Sequence, residues 1–154
     1  MSDSITIRLP GAPRGKGRHR SRIVPARAGR KPFVQEYPEP ETAAYEGRLK
    51  AAAIAVMDGA APLSGMLSVA VFAFMPIPAS WPKRKQQQAR NRLIRPVTKP
   101  DWDNVAKVTD ALNGVVWGDD ACVVDGYVRK FYADVPELVV QVSVLEAQAV
   151  RAAA

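Results

Sequence analysis

The stretch "CVVDGYVRKFYADVPELVVQVSVLE", residues 122 to 146, decides the fold. Two runs rich in β-branched and aromatic residues, Cys122–Ala133 and Leu138–Glu146, flank "DVPE". Asp and Pro are turn formers, so the pattern predicts two strands joined by a turn. Strands joined so closely form an antiparallel hairpin, because a parallel pair needs a crossover of about a dozen residues. A wholly parallel sheet is therefore disfavoured.

Upstream, "MLSVAVFAFM" (Met66–Met75) has the length and β-branched content of a buried central strand. "SITIRLP" (Ser4–Pro10) alternates Ile5, Ile7 and Leu9 with polar residues, as a half-buried strand does. "PETAAYEGRLKAAAIAVMDG" (Pro40–Gly59) predicts a helix. Tyr45, Leu49, Ala52, Ala53 and Val56 recur at helical spacing, and Asp58-Gly59 stops it. Ser80 is a candidate cap for a short helix over Lys83–Leu93, and Asp103–Asn113 is a further helix ended by Asn113-Gly114. The order predicts an α/β or α+β fold with one mixed β-sheet. It forms a single domain over residues 1–146, followed by a frayed or loosely helical tail, "AQAVRAAA" (147–154).

Bulk composition narrows the function. A length of 154 residues is one domain's worth. The net charge of +7 and pI near 9.9 favour a polyanionic partner, nucleic acid first. The lone Cys122 excludes a disulfide framework and a thiolate zinc site, and its valine neighbours mark it as a structural thiol. The lone His19 lies among arginines, with no nucleophile motif to accompany it. No apolar run approaches the ~20 residues of a membrane span, and no signal pattern opens the chain. The expected location is cytoplasmic.

Charge is unevenly placed. The segment "GAPRGKGRHRSRIVPARAGRKP" (11–32) is too punctuated for a helix and reads as a loop, or a hairpin with a mobile tip. With Arg8 it carries Arg14, Lys16, Arg18, Arg20, Arg22, Arg27, Arg30 and Lys31, and no acid falls between Asp3 and Glu36. A second acid-free basic segment, residues 76–100, holds Lys83, Arg84, Lys85, Arg90, Arg92, Arg95 and Lys99. The acids collect instead in "TKPDWDNVAKVTDALNGVVWGDDACVVD", residues 98 to 125.

On a helical wheel with Asp103 at 0°, Lys107 falls near 40° and Asp110 near 340°, while Val105, Val108 and Leu112 cluster at roughly 140–200°. One face is charged and the opposite face apolar. Asp103 suits an N-cap, and Asp103–Lys107 suits an i,i+4 surface pair. Neither accounts for Asp101, nor for Asp119-Asp120. Crowded carboxylates repel unless a cation is present, and Mg²⁺ or Mn²⁺ suits oxygen donors. Such a metal beside a basic surface suggests phosphodiester hydrolysis, with Lys107 placed to stabilise transition-state charge. A solvated acidic face is the alternative.

The set "PDxDN…K…DALNG…DD" resembles the RusA family of Holliday junction resolvases. "LPGAPRGKGRHR" is similar to the family's first strand and basic loop. "MPIPASWPKRK" with "IRPVTKPDWDN" is similar to the middle of its phage-type and prophage-type members, and "DALNGVVWGDDACVVD" to its acidic second half. The resemblance implies a RusA-like fold with helices flanking the sheet. It also implies a homodimeric, Mg²⁺-dependent endonuclease that nicks two strands of a four-way DNA junction symmetrically in recombination and repair. It assigns Asp101, Asp103 and Asp120 as metal ligands, Lys107 as the catalytic lysine, and Asp119 as the neighbouring catalytic acid. Lys16, Arg18, Arg20, Lys83, Arg84, Lys85 and Lys99 become DNA contacts. The Lys107–Asp110 spacing is one residue shorter than the family's, which leaves the role of Asp110 open. A junction-binding protein that does not cut, and a nuclease acting on flaps or forks, are the competing readings.

Overall fold

In the computed structural model, which describes residues 4–146, the elements follow in the order β1 (Ser4–Pro10), β2 (Arg20–Val24), β3 (Phe33–Tyr37), α1 (Pro40–Met57), β4 (Met66–Pro76), α2 (Lys83–Arg90), α3 (Trp102–Lys107), β5 (Val123–Ala133) and β6 (Glu137–Leu145). Turns of 3₁₀ helix at Val108–Leu112 and Asp120–Cys122 follow α3 and precede β5. The segment 147–154 lies outside the described residues.

Four strands form one mixed sheet in the order β1-β6-β4-β5, and β2-β3 forms a separate antiparallel ribbon. The arrangement is a single α+β domain. The basic segment after β1 is thus a hairpin, of the two forms its sequence allows. The C-terminal strands correct one expectation. They run antiparallel, but they do not pair as a hairpin: β4 lies between them, parallel to β5 and antiparallel to β6. The reason is burial. Leu67, Val69, Ala70, Val71 and Ala73 of β4 are all buried, and a strand this apolar gains most at the sheet centre. Asp134–Pro136 is long enough to step over one intervening strand, a span of about 10 Å.

One sheet face carries the core. Ile7 and Leu9 of β1, Val69 and Val71 of β4, and Leu138, Val140 and Val142 of β6 meet Tyr45, Leu49 and Ala53 of α1 and Val105, Val108 and Leu112 of the α3 segment. The helices α1 and α3 that build this core lie over that face, and α2 stands beside β5. The opposite face carries an aromatic row. Phe72 meets Tyr127 at 6.0 Å and Phe74 meets Phe131 at 5.8 Å, with Arg92 and Arg95 stacked over Phe131.

Helix α1 begins with Pro40, whose missing N–H costs nothing in a first turn. It ends where Asp58 adopts left-handed φ of 45° and donates its N–H to the Ile54 carbonyl at 3.1 Å. Its buried stripe is Thr42, Tyr45, Leu49, Ala53 and Met57. Val56, expected in the core, is 43% exposed, because the i,i+4 run from Tyr45 continues to Met57. Helix α2 also differs from expectation. Pro82 precedes it, Ser80 does not cap it, and it closes at Arg90 before Arg92 turns left-handed at φ 60°. No helix among the described residues is long and apolar enough to cross a membrane.

Leu49→Ala should therefore cost about 2–5 kcal/mol of unfolding free energy, and Val56→Ala under about 1 kcal/mol. Urea titrations of the two variants check this contrast; equal losses would contradict the assigned face of α1.

Candidate functional site

Helix α3 is short and its charged residues are aimed by its apolar ones. Val105, Val108 and Leu112 are 0% exposed. Anchoring them turns Asp103 and Lys107 outward, where Lys107 Nζ lies 3.1 Å from Asp103 Oδ2. That hydrogen bond, foremost among several influences, holds the Asp103 carboxyl below the usual carboxylate range. The N-cap is Asp101, in extended conformation, not Asp103. The Asp101 carbonyl accepts from Val105 N–H at 3.0 Å, while its side chain makes no capping bond and instead pairs with Lys99. The Asp101 carboxylate is thus free of capping duty at the helix start.

The acidic pair before β5 divides its work. Asp119 caps the 3₁₀ turn, accepting from Ala121 N–H at 2.8 Å on Oδ1. Asp120 is exposed and joins no ion pair among the described residues. No three His, Cys, Asp or Glu side chains among the described residues stand together as a metal cage. Asp101, Asp103 and Asp120 are therefore three exposed carboxylates not gathered into one set. Their chemistry nevertheless fits Mg²⁺. It takes hard oxygen donors, and it is held by one or two carboxylates completed by waters and substrate phosphates, not by an all-protein cage.

The basic loop after β1 is fastened across this helix. Lys16 N–H donates to the Asn104 carbonyl at 2.8 Å, and Gly17 N–H to Thr42 Oγ1 at 3.1 Å. At Gly15 an added Cβ would stand 2.9 Å from Asn104 Cβ and 3.0 Å from Pro100 Cβ, so only glycine lets the backbones meet. Lys16 is not free for a ligand in this arrangement. Its ammonium lies 2.9 Å from Asp110 and 3.3 Å from Glu46, with 23% of its side chain exposed. The Asp110 bond, opposed by burial and aided by Glu46, raises the Lys16 pKa. Asp110, whose role the sequence left open, is the acceptor that ties this loop to the α3 segment.

Other cations divide similarly. Arg14 pairs with Glu41, and Arg20 with Glu39 at 2.9 Å. Arg18 and His19 remain exposed and, with Lys16, Asn104, Lys107 and Asp110, line a cleft of about 480 Å³. Lys83, Arg84 and Lys85 lie exposed on α2 without ion pairs among the described residues, Lys85 above the Trp81 ring at 3.9 Å. Lys130 was not expected here. Its ammonium donates to the Thr98 carbonyl at 2.6 Å; burial lowers its pKa, Asp101 opposes that shift, and Lys99 adds to it. Nothing in sequence spacing links Lys16 to Glu46 or Lys130 to Asp101, since these contacts depend on the tertiary fold.

Residues 10–143 match the family model described as Endodeoxyribonuclease RusA. The uncharacterized protein YqaN of Bacillus subtilis (strain 168) is 42% identical over 83 residues, 52% of this chain and 58% of that protein. The matched stretch thus spans under two thirds of that relative's length.

Lys16→Met and Asp110→Asn should show a coupling of about 0.5–3 kcal/mol in a double-mutant cycle followed by urea unfolding. The Lys16 pKa is raised on folding, so the coupling is full below the ordinary value of 10.5 and fades as pH climbs through the folded-state value. A cycle that closes to zero at neutral pH would remove the tie.

Proposed function

The chain belongs to the RusA family of endodeoxyribonucleases, and from that premise we propose that it resolves Holliday junctions by paired symmetric nicks, as a cytoplasmic homodimer dependent on Mg²⁺ or Mn²⁺. The observation that carries the reading is the outward Asp103–Lys107 pair at 3.1 Å, two residues from Asp101 and bordering the basic cleft. An ion pair with no packing duty, beside a surface suited to phosphates, is a poor stabiliser and a good catalytic arrangement.

Asp101, Asp103 and Asp120 hold the metal in this reading. When bound, it lowers the pKa of a water and offsets phosphate charge. The chain's own groups supply the rest. Asp103 accepts a hydrogen bond from Lys107 on the outward face, and Lys107 donates to a non-bridging phosphate oxygen as negative charge grows there. Asp119 holds the turn that presents Asp120. Arg18, the α2 cations Lys83, Arg84 and Lys85, and Lys99, an exposed side chain released from Asp101 when that carboxylate takes the metal, contact backbone phosphates, which position DNA without reading its sequence. Arg20 and Lys16, both paired with acids, act by ordering the loop. Two-fold symmetry of the junction calls for two such sites, hence a dimer.

The test is a synthetic four-way junction incubated with purified protein, with Mg²⁺ or with EDTA. Paired symmetric nicks are expected with Mg²⁺ alone. Asp103→Asn should abolish cutting while binding persists, and Lys107→Ala should slow it about 10²–10³-fold. Arg18→Ala should lower the salt slope of binding by about one. Binding without cleavage in either metal would reduce the protein to a junction-binding module, and preferential cutting of flaps or forks would make it a different nuclease. Sedimentation of the wild type as a monomer would remove the dimer.

A further inference from the structure

The three tryptophans are unequal. Trp117 is 1% exposed, with Nε1 donating to Asn113 at 2.7 Å. Trp81 packs edge-on to Tyr132 at 5.1 Å under Lys85. Trp102 is 65% exposed, and it stands between Asp101 and Asp103. This exposed ring is not isolated, since it borders an apolar cleft beside two carboxylates, and an exposed apolar surface rimmed by polar groups marks a binding site.

The surface around it has a defined shape. Trp102 and Ala106 line an apolar cleft of about 230 Å³ against β4 and β5, whose other walls include Val71, Val123, Tyr127 and Val128. On the helical wheel Trp102 and Ala106 fall at roughly 260–300°, on one flank of α3. Lys107 and Asn104, at roughly 40–100°, border the basic cleft of Lys16, Arg18 and His19 on the other flank. Asp103 forms the crest between them. An apolar slot on one side of a carboxylate crest and a cationic slot on the other match the two halves of a nucleotide. The base is flat and apolar on its faces, and the phosphate is anionic.

We propose that Trp102 stacks on an unpaired base of the bound DNA, which lodges in the cleft between α3 and β5 while the strand's phosphates follow the basic cleft across the crest. The proposal rests on the nuclease reading above and extends it to the base next to the phosphate being cut. A second copy of the chain suits this surface less. The cleft of Lys16, Arg18 and His19 that continues across the crest is cationic, which complements a polyanionic strand and repels a second copy of a chain of net charge +7. Stacking on an aromatic ring tolerates any base, so Trp102 favours strands that are already unpaired, as at a branch point.

The test uses the full chain and a four-way junction with 2-aminopurine at the branch, held uncut in EDTA. The wild type should quench the probe on binding. Trp102→Ala should bind about 5–150-fold more weakly and leave the probe bright, while Trp102→Phe retains most of both. An abasic branch position should remove the difference between the wild type and Trp102→Ala. Wild-type cutting with Trp102→Ala within twofold in binding and probe signal would overturn the stacking role and leave the nuclease reading intact. Conversion of Trp102→Ala from dimer to monomer would assign the ring to a protein contact and overturn it as well. A wild type that neither binds nor cuts any DNA would remove both readings.

Discussion

The apolar seam of Val105, Val108 and Leu112 is the constraint from which the rest of the site follows. These side chains, all fully buried, dock the α3 segment on α1 and the sheet. A helix with one face fixed has no freedom to rotate, so its opposite stripe is fixed as well. Asp103 and Lys107 are exposed because Val105 and Val108 are not. The α3 part of the site is thus aimed by hydrophobic burial, with the Asp103–Lys107 hydrogen bond added on its outward face.

The second requirement is a loop that approaches this helix closely. Gly15 permits the approach, and Lys16, Glu46 and Asp110 lock it. The basic segment is therefore not uniformly a binding surface. Arg14, Lys16 and Arg20 meet acids of α1 or of the α3 segment and hold the loop in place, whereas Arg18 and His19 project into the cleft. Cations of similar sequence context thus divide into those paired with acids and those left lining the cleft. The division follows the acids Glu39, Glu41 and Glu46 at the start of α1, opposite which the loop runs.

Much of this was legible in the sequence where the signal is local. The wheel placed Asp103, Lys107 and the apolar seam correctly, because periodicity reports which face is buried. The strands β1 and β4 and the helix α1 were legible for the same reason. Partner choice was not. Cys122–Ala133 and Leu138–Glu146 read as a hairpin because they adjoin, yet β4 separates the strands they form; a tight turn constrains direction, not pairing. Val56 and Met57 are adjacent, and only the packed core distinguishes which is covered. The ties of Lys16 to Glu46 and Lys130 to Thr98 join residues remote in sequence, and nothing local encodes them. Trp102 gave a faint signal, a large apolar residue between two aspartates, whose meaning needed its exposure.

The strand order also carries a consequence for how the chain reaches this state. β4 is flanked by β5 and β6, both made after it, and β1 pairs with β6 in the register Ser4↔Ser143. In the main sheet only β4 and β5 are consecutive strands that pair, and α2 and α3 lie between them in the chain; among the described residues the one ladder closed by a short loop is the outlying β2–β3 ribbon. Loop closure must precede almost every contact of the core, so contact order is high and folding correspondingly slow. During synthesis the most apolar strand emerges more than fifty residues before its first partner, since Leu67 pairs with Val123. The nascent chain therefore presents β4 unpaired for that interval, which makes this the segment most in need of protection before the sheet exists.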